Sequence, residues 1–275
     1  MSSSRLWLVF AAVTTVFWGI WGAFIEIPEK AGFPATLGYS VWALTMLPCA
    51  AFALWLTGWK VERDARSVFL GSAVGLLGAG GQLLLFQALR TGPAYVVFPI
   101  ISLYPVITVL LSLALLKERA SRRASIGIAL ALPAIFLLSW QPSGGGPASG
   151  TLWLGLALLV FFAWGVQAYV MKLSNATMRA ESIFYYMALT GVLLIPVAIW
   201  MTDFSRPINW SFRGPYLAAL IQVLNSIGAL CLVYALRYGK AIIVVPMTAL
   251  APVLTIIISL VLYQVVPGAP LAAGM

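Results

Sequence analysis

Long apolar runs, each closed by a short polar or Gly/Pro connector, follow one another along almost the whole chain. A helix rises 1.5 Å per residue, so roughly 20 apolar residues cross a hydrocarbon layer of about 30 Å. The runs predict helices near Leu6–Ile25, Ala35–Thr57, Ser67–Leu89, Ala94–Leu116 and Ala124–Trp140, then Thr151–Leu173, Ser182–Thr202, Phe212–Leu236 and Ala241–Tyr263. Arg5 ahead of the first run imitates a signal peptide, but the run is too long for a signal core and lacks a small-residue cleavage site. It reads as the first membrane helix. A further span begins near Leu271 and stops at Met275, so a tenth helix is expected to be truncated, as in a fragment.

The pattern is duplicated. ALRTGPAYVVFPIISLYPVITVLLSL from Ala88 to Leu113 returns without a gap as ALRYGKAIIVVPMTALAPVLTIIISL from Ala235 to Leu260. This sets Arg90 on Arg237, Gly92 on Gly239, Pro99 on Pro246, Pro105 on Pro252, Thr108 on Thr255 and Ser112 on Ser259. Earlier helices match in the same order, with Trp18-Gly19 on Trp164-Gly165 and Ala43-Leu44-Thr45 on Ala188-Leu189-Thr190. The expected fold is therefore all-α and polytopic: residues 1–140 form one five-helix repeat, 141–150 a Gly/Pro/Ser connector, and 151–275 a second repeat incomplete at its last helix. An odd number of helices per repeat inverts the second copy, and such duplications are characteristic of transporters.

Composition removes most other classes. With 62% hydrophobic and 8% charged residues, the chain lies outside the range of soluble domains. The net charge of +9 sits in short connectors rather than on one face, which argues against nucleic acid and for topology. Twelve of the 16 Lys and Arg fall on one side of the expected topology, leaving Lys30, Arg90, Arg206 and Arg213 on the other. That bias predicts a cytoplasmic N-terminus in a cell membrane and puts the matched Arg90 and Arg237 on opposite sides. Cys49 and Cys231 lie in apolar segments, which disfavours a disulfide. The absence of histidine excludes imidazole metal sites, Ser-His-Asp triads and histidine relays, and no other catalytic or cofactor constellation assembles.

The FWGIWGAF segment of the first helix, the ALRTGPA turn, the paired prolines and LLKERAS at the end of the fourth helix resemble the drug/metabolite transporter superfamily, in particular its EamA-like members. The resemblance covers essentially the whole chain. It implies alternating-access movement of a small metabolite, with amino-acid efflux, nucleotide-sugar exchange and drug export all represented. Glu118 matches the family's helix-end glutamate, whereas Val265 occupies the corresponding place in the second copy.

Comparison of the copies also selects candidate residues. Matched positions read as scaffold; polar groups present in one copy only suit an asymmetric substrate. Gly75 and Gly78 become Gln222 and Asn225, Gln82 becomes Ala229, and Gln167 stands where the first copy has Trp21. Each amide donates and accepts, although bonding between helices is the competing use. Trp18 and Trp164 are too deep for an interfacial belt and suit cavity walls or packing, and Tyr104 adds a hydroxyl opposite Ala251. Pro99 and Pro246 remove mid-helix donors and serve as kinks or hinges. All seven acids fall in loops or at helix ends, which favours uniport, exchange or helix-end coupling over a buried-acid proton pump. The expected function is an exporter or exchanger of an amino acid, amine or similar molecule, with a small-molecule substrate and the bilayer as partners and a homodimer among the oligomeric options. A nucleotide-sugar-type exchanger, a channel and a non-transporting scaffold are the alternatives.

Overall fold

The computed structural model describes residues 3–92, 94–138 and 151–263, together with Ala269 and Ala273. The connector 141–150, Trp140, Val265 and the span expected from Leu271 lie outside the described residues. Within them the chain is all-α, a polytopic membrane protein without a strand. Eight helices are long and apolar enough to cross a membrane: α1 (Arg5–Lys30), α2 (Ala35–Leu56), α3 (Ala65–Arg90), α4 (Val96–Ala114), α6 (Leu152–Ser174), α7 (Ala180–Trp200), α8 (Phe212–Tyr238) and α9 (Ala241–Leu262). Between them lies α5 (Arg122–Leu138), 17 residues long.

The two halves interleave. α1 packs on α8 and α9, and its repeat counterpart α6 packs on α3 and α4. α2 packs on α8, as α7 does on α3, and α2 meets α7 across the centre. Three equivalent pairs of contacts hold this arrangement. Trp7 lies against Gly239 and Trp153 against Gly92; Trp18 covers Gly228 and Trp164 covers Gly81. Thr255 Oγ1 donates to Gly19 O at 2.9 Å and Thr108 Oγ1 to Gly165 O at 2.8 Å. Small residues permit such close approach, which replaces the hydrophobic drive that lipid cannot supply.

Equivalent loops lie at opposite ends of the bundle. Asn209, between α7 and α8, donates its backbone N–H to Gly32 O at 3.1 Å and its Nδ2 to Ala31 O at 2.9 Å, joining the α1–α2 turn. The repeat counterpart of that turn, between α6 and α7, instead meets the α2–α3 loop through Arg179 and Glu62 at 3.5 Å. Gly32 takes φ +94°, a left-handed turn that glycine adopts at little cost.

Six of the spanning helices are interrupted, α1 at Ile25 and α8 across a π turn at Phe212–Tyr216 that contains the non-helical Gly214. α3 carries a π turn at Leu76–Gly80, and α7 breaks at Leu194 before Pro196. Pro99 and Pro246 lie inside the helical segments Ala94–Ser102 and Ala241–Thr248. The interruptions of α4 and α9 fall further on, at Leu103 and at Ala249–Leu250, directly ahead of the helices Tyr104–Ala114 and Ala251–Tyr263. Pro105 and Pro252 explain the positions: each lacks the N–H that would continue the ladder, and its ring clashes with the carbonyl four residues back. Three-residue bonds bridge the gaps, Val106 N to Leu103 O and Val253 N to Leu250 O, both at 2.9 Å.

Candidate functional site

Mid-membrane polar groups need partners, so the site is best built from its hydrogen bonds. In α1, Trp18 lies so closely on Gly228 that a Cβ there would be 2.6 Å from the ring, and its Nε1 donates to Asn225 O at 3.3 Å. In α6, Trp164 repeats this against α3: a Cβ at Gly81 would be 2.5 Å from Nε1, which donates to Gly78 O at 3.2 Å. Gly78 belongs to the π turn, whose wider winding departs from the ordinary four-residue ladder. The two indoles are thus equivalent walls in the two halves, each oriented by a backbone carbonyl.

The polar groups around these walls are not equivalent. One residue turn beyond Trp18, Trp21 Nε1 donates to Gln222 Oε1 at 2.9 Å. Gln222 is buried; its Nε2 donates to Gly38 O at 3.3 Å, and its Oε1 also accepts from Asn225 Nδ2 at 3.4 Å. Thr45 and Ser226 hydroxyls bond at 2.9 Å one turn further along α2 and α8. In the other half, Gly75 takes Thr190 and Gly78 takes the Gln167 amide in the space that side chains fill around Gln222 and Asn225. Tyr104 sets its ring edge to Trp164, 6.1 Å between centroids at 84°.

The expected residues therefore form two groups, Trp18 with Gln222 and Asn225, and Trp164 with Gln167 and Tyr104. Gln82 follows Gly81 directly, half-buried on α3, and makes no side-chain hydrogen bond among the described residues. One further aromatic residue of α2 was not singled out in the sequence. Trp42 of α2 packs between the core clusters around Met187 and around Ala79, with its ring 5.4 Å from that of Tyr39. Its repeat counterpart is Met187, so the mismatch that singled out Gln222 also marked Trp42.

The two ends are closed by different chemistry. At the end carrying most of the cations, Glu118 Oε2 accepts from Ile242 N at 3.1 Å and so caps the first turn of α9. Lys172 Nζ donates to Leu236 O at 2.8 Å and Gly239 O at 2.6 Å, the last carbonyls of α8, where a cation is favoured. Lys240 reaches Arg119 O at 2.7 Å, Arg237 reaches Met178 O at 2.9 Å, and Tyr234 donates to the buried Glu181. At the other end Arg90 donates to Met201 O at 2.6 Å, and the Thr36 and Thr202 hydroxyls bond at 2.7 Å. At the opposite end of α3 from Arg90, Asp64 accepts from Ser67 N at 3.1 Å as the N-cap, and bonds from the Ser67 side chain and then its backbone hold the carboxyl below the usual range. Bonds from Ser205 do the same for Asp203. Among the described residues no cluster of three metal-ligating side chains forms.

Interleaved helices, repeated glycine seats and a polar cluster between apolar helices define a polytopic membrane protein built of two repeats, and the family follows. The EamA-like transporter family matches residues 5–140 and again 151–275, and the chain belongs to it. Among individual proteins it is similar to Protein LicB of Haemophilus influenzae, 26% identical over 244 residues that cover 85% of this chain and 81% of LicB. A segment of 59 residues is 48% identical to an uncharacterized protein of Methanocaldococcus jannaschii, covering 22% of this chain and 43% of that one. A solved crystal structure superposes with TM-score 0.72 at 18% identity, over 97% of this chain and 94% of that one, a likeness of fold.

Proposed function

We propose that this membrane transporter moves a small polar or amphipathic metabolite, an amino acid, amine or similar molecule, by alternating access, as an exporter or exchanger. The observation that carries the reading is the contrast between the equivalent Trp18/Gly228 and Trp164/Gly81 seats and the unequal amides beside them. Equivalent packing in both halves allows two arrangements of similar energy, one closed at each end, which is what alternating access requires. The unequal groups supply the chemistry: one wall of amides and indoles, the other of Gln167 and Tyr104. Acids at the helix ends rather than between these walls favour exchange or uniport. With the cation-rich end in the cytoplasm of a cell membrane, the N-terminus is cytoplasmic.

Reconstitution in liposomes, followed by counterflow with a panel of amino acids, amino alcohols, amines and nucleotide sugars, tests the reading. Saturable counterflow is expected for at least one small amine or amino acid. Its absence across the panel, or single-channel currents that do not saturate, would sink it. Asn225→Ala is expected to reduce uptake several-fold with folded yield unchanged. Unaltered uptake would remove the α8 cluster from the site.

A further inference from the structure

One donor in the cluster between α1, α2 and α8 has no acceptor. The Trp18, Trp21, Gln222 and Asn225 N–H groups described above all find oxygens, and Thr45 pairs with Ser226. Trp42 Nε1 is buried and finds none. Its position is fixed by the spacing of α2. Gly38, Trp42 and Thr45 stand at i, i+4 and i+7, one stripe of a helix, and the first and last of these bond directly to Gln222 and Ser226 of α8. Trp42 therefore stands on the stripe of α2 whose ends meet α8, and its ring packs among the clusters around Met187 and Ala79. A donor taken out of water and left unpaired carries its full desolvation cost, which is tolerated where an acceptor arrives with a ligand.

The chemistry of that acceptor is constrained by the surroundings. The ring packs among apolar side chains and Tyr39, the polar groups of the same stripe are uncharged amides and hydroxyls, and the charged residues described above lie at the helix ends. An unaccompanied carboxylate would be uncompensated there. Resting on the carrier reading, we infer that Trp42 is a specificity-determining residue, whose indole N–H donates to a neutral oxygen, a hydroxyl or carbonyl, of the carried molecule.

Trp42→Phe keeps a ring and removes the N–H. In the reconstituted full chain, competition for counterflow is measured with L-leucinol and 4-methylpentan-2-amine, which differ by one hydroxyl. The parent is expected to prefer leucinol by roughly fivefold to tenfold, and Trp42→Phe to erase the preference while its ligand-free melting temperature stays level or rises. A preference that survives in Trp42→Phe overturns the inference. So does a lower melting temperature or loss of folding, since the N–H would then be serving the fold. Parent protein that ignores leucinol but shows counterflow with other panel members overturns the substrate class and leaves the carrier reading standing. No counterflow with any member removes both.

Discussion

A tryptophan laid across a glycine leaves no space for a single added methyl group, so the seats at Gly228 and Gly81 can be tested one atom at a time. Gly228→Ala or Gly81→Ala places a Cβ 2.6 Å or 2.5 Å from an indole that packs between helices. Overpacking of this kind costs about 1–3 kcal/mol, and both variants should melt lower in detergent. Gly127→Ala, where a Cβ meets nothing within 4 Å, should be level or slightly more stable. Equal melting of all three would refute the seats. Asp64 provides a test of a different kind. Its bonds from Ser67 lower the folded-state pKa below the ordinary 3.8, so their contribution is present at neutral pH and is lost as pH falls through the lowered value. Asp64→Asn should therefore lie below the parent in melting temperature at pH 7, with the gap closing towards pH 3. The sequence marked Trp18 and Trp164 by their repetition. It could not show that the rings are paired with Gly228 and Gly81, 210 and 83 residues away, because packing partners leave no local periodicity.

At the scale of elements, α4 and α9 are each two helical segments joined at a proline break. Pro105→Ala or Pro252→Ala returns the missing donor and allows one continuous ladder across Leu103 or Leu250. If the breaks are joints, initial transport rates should fall several-fold while melting temperature holds or rises. Unchanged rates would make the breaks mere packing. Hydropathy gave the order and approximate limits of the nine helices α1–α9, since length and apolarity are local properties; eight of them are long enough to span, and α5 is described over 17 residues. The sequence reading placed the kinks at Pro99 and Pro246, whereas the breaks fall ahead of Pro105 and Pro252. Pro99 and Pro246 are accommodated within helical segments, whereas Pro105 and Pro252 each begin a new one. Nearest-neighbour sequence does not distinguish these cases, because neighbouring helices decide which freed carbonyls can be satisfied.

For the whole molecule, charge and contacts can be tested together. After replacement of Cys49 and Cys231 by Ala, a membrane-impermeant thiol reagent applied to intact cells should label Arg206→Cys and leave Arg63→Cys unlabelled until the cells are lysed. The reverse pattern would invert the orientation read from the basic residues. Repeat symmetry was legible because duplication preserves order, and the inverted placement of loops followed from the odd count of helices. The internal distribution of polar groups was less so: the amides of Gln222 and Asn225 stood out, yet the bonds of Gln222 to Trp21 and Gly38, and of Trp18 to the Asn225 carbonyl, depend on contacts that only the folded bundle creates. Trp42 shows the same limit from the other side: its mismatch with Met187 was visible, but the burial of its N–H without an acceptor exists only in the folded bundle.

The interleaving of the halves also dictates an order of birth. The bond from Trp18 joins residues 207 positions apart, and Thr14 bonds to Gly228 across 214. α1 leaves the ribosome well before the surface of α8 that receives it. Until α8 enters the bilayer, α1 must wait in lipid or be held by an insertion factor, with its indoles turned to the hydrocarbon. Ribosome release before α8 would therefore leave inserted helices without the packing that locks them, which makes late synthesis the point at which this carrier acquires its native state.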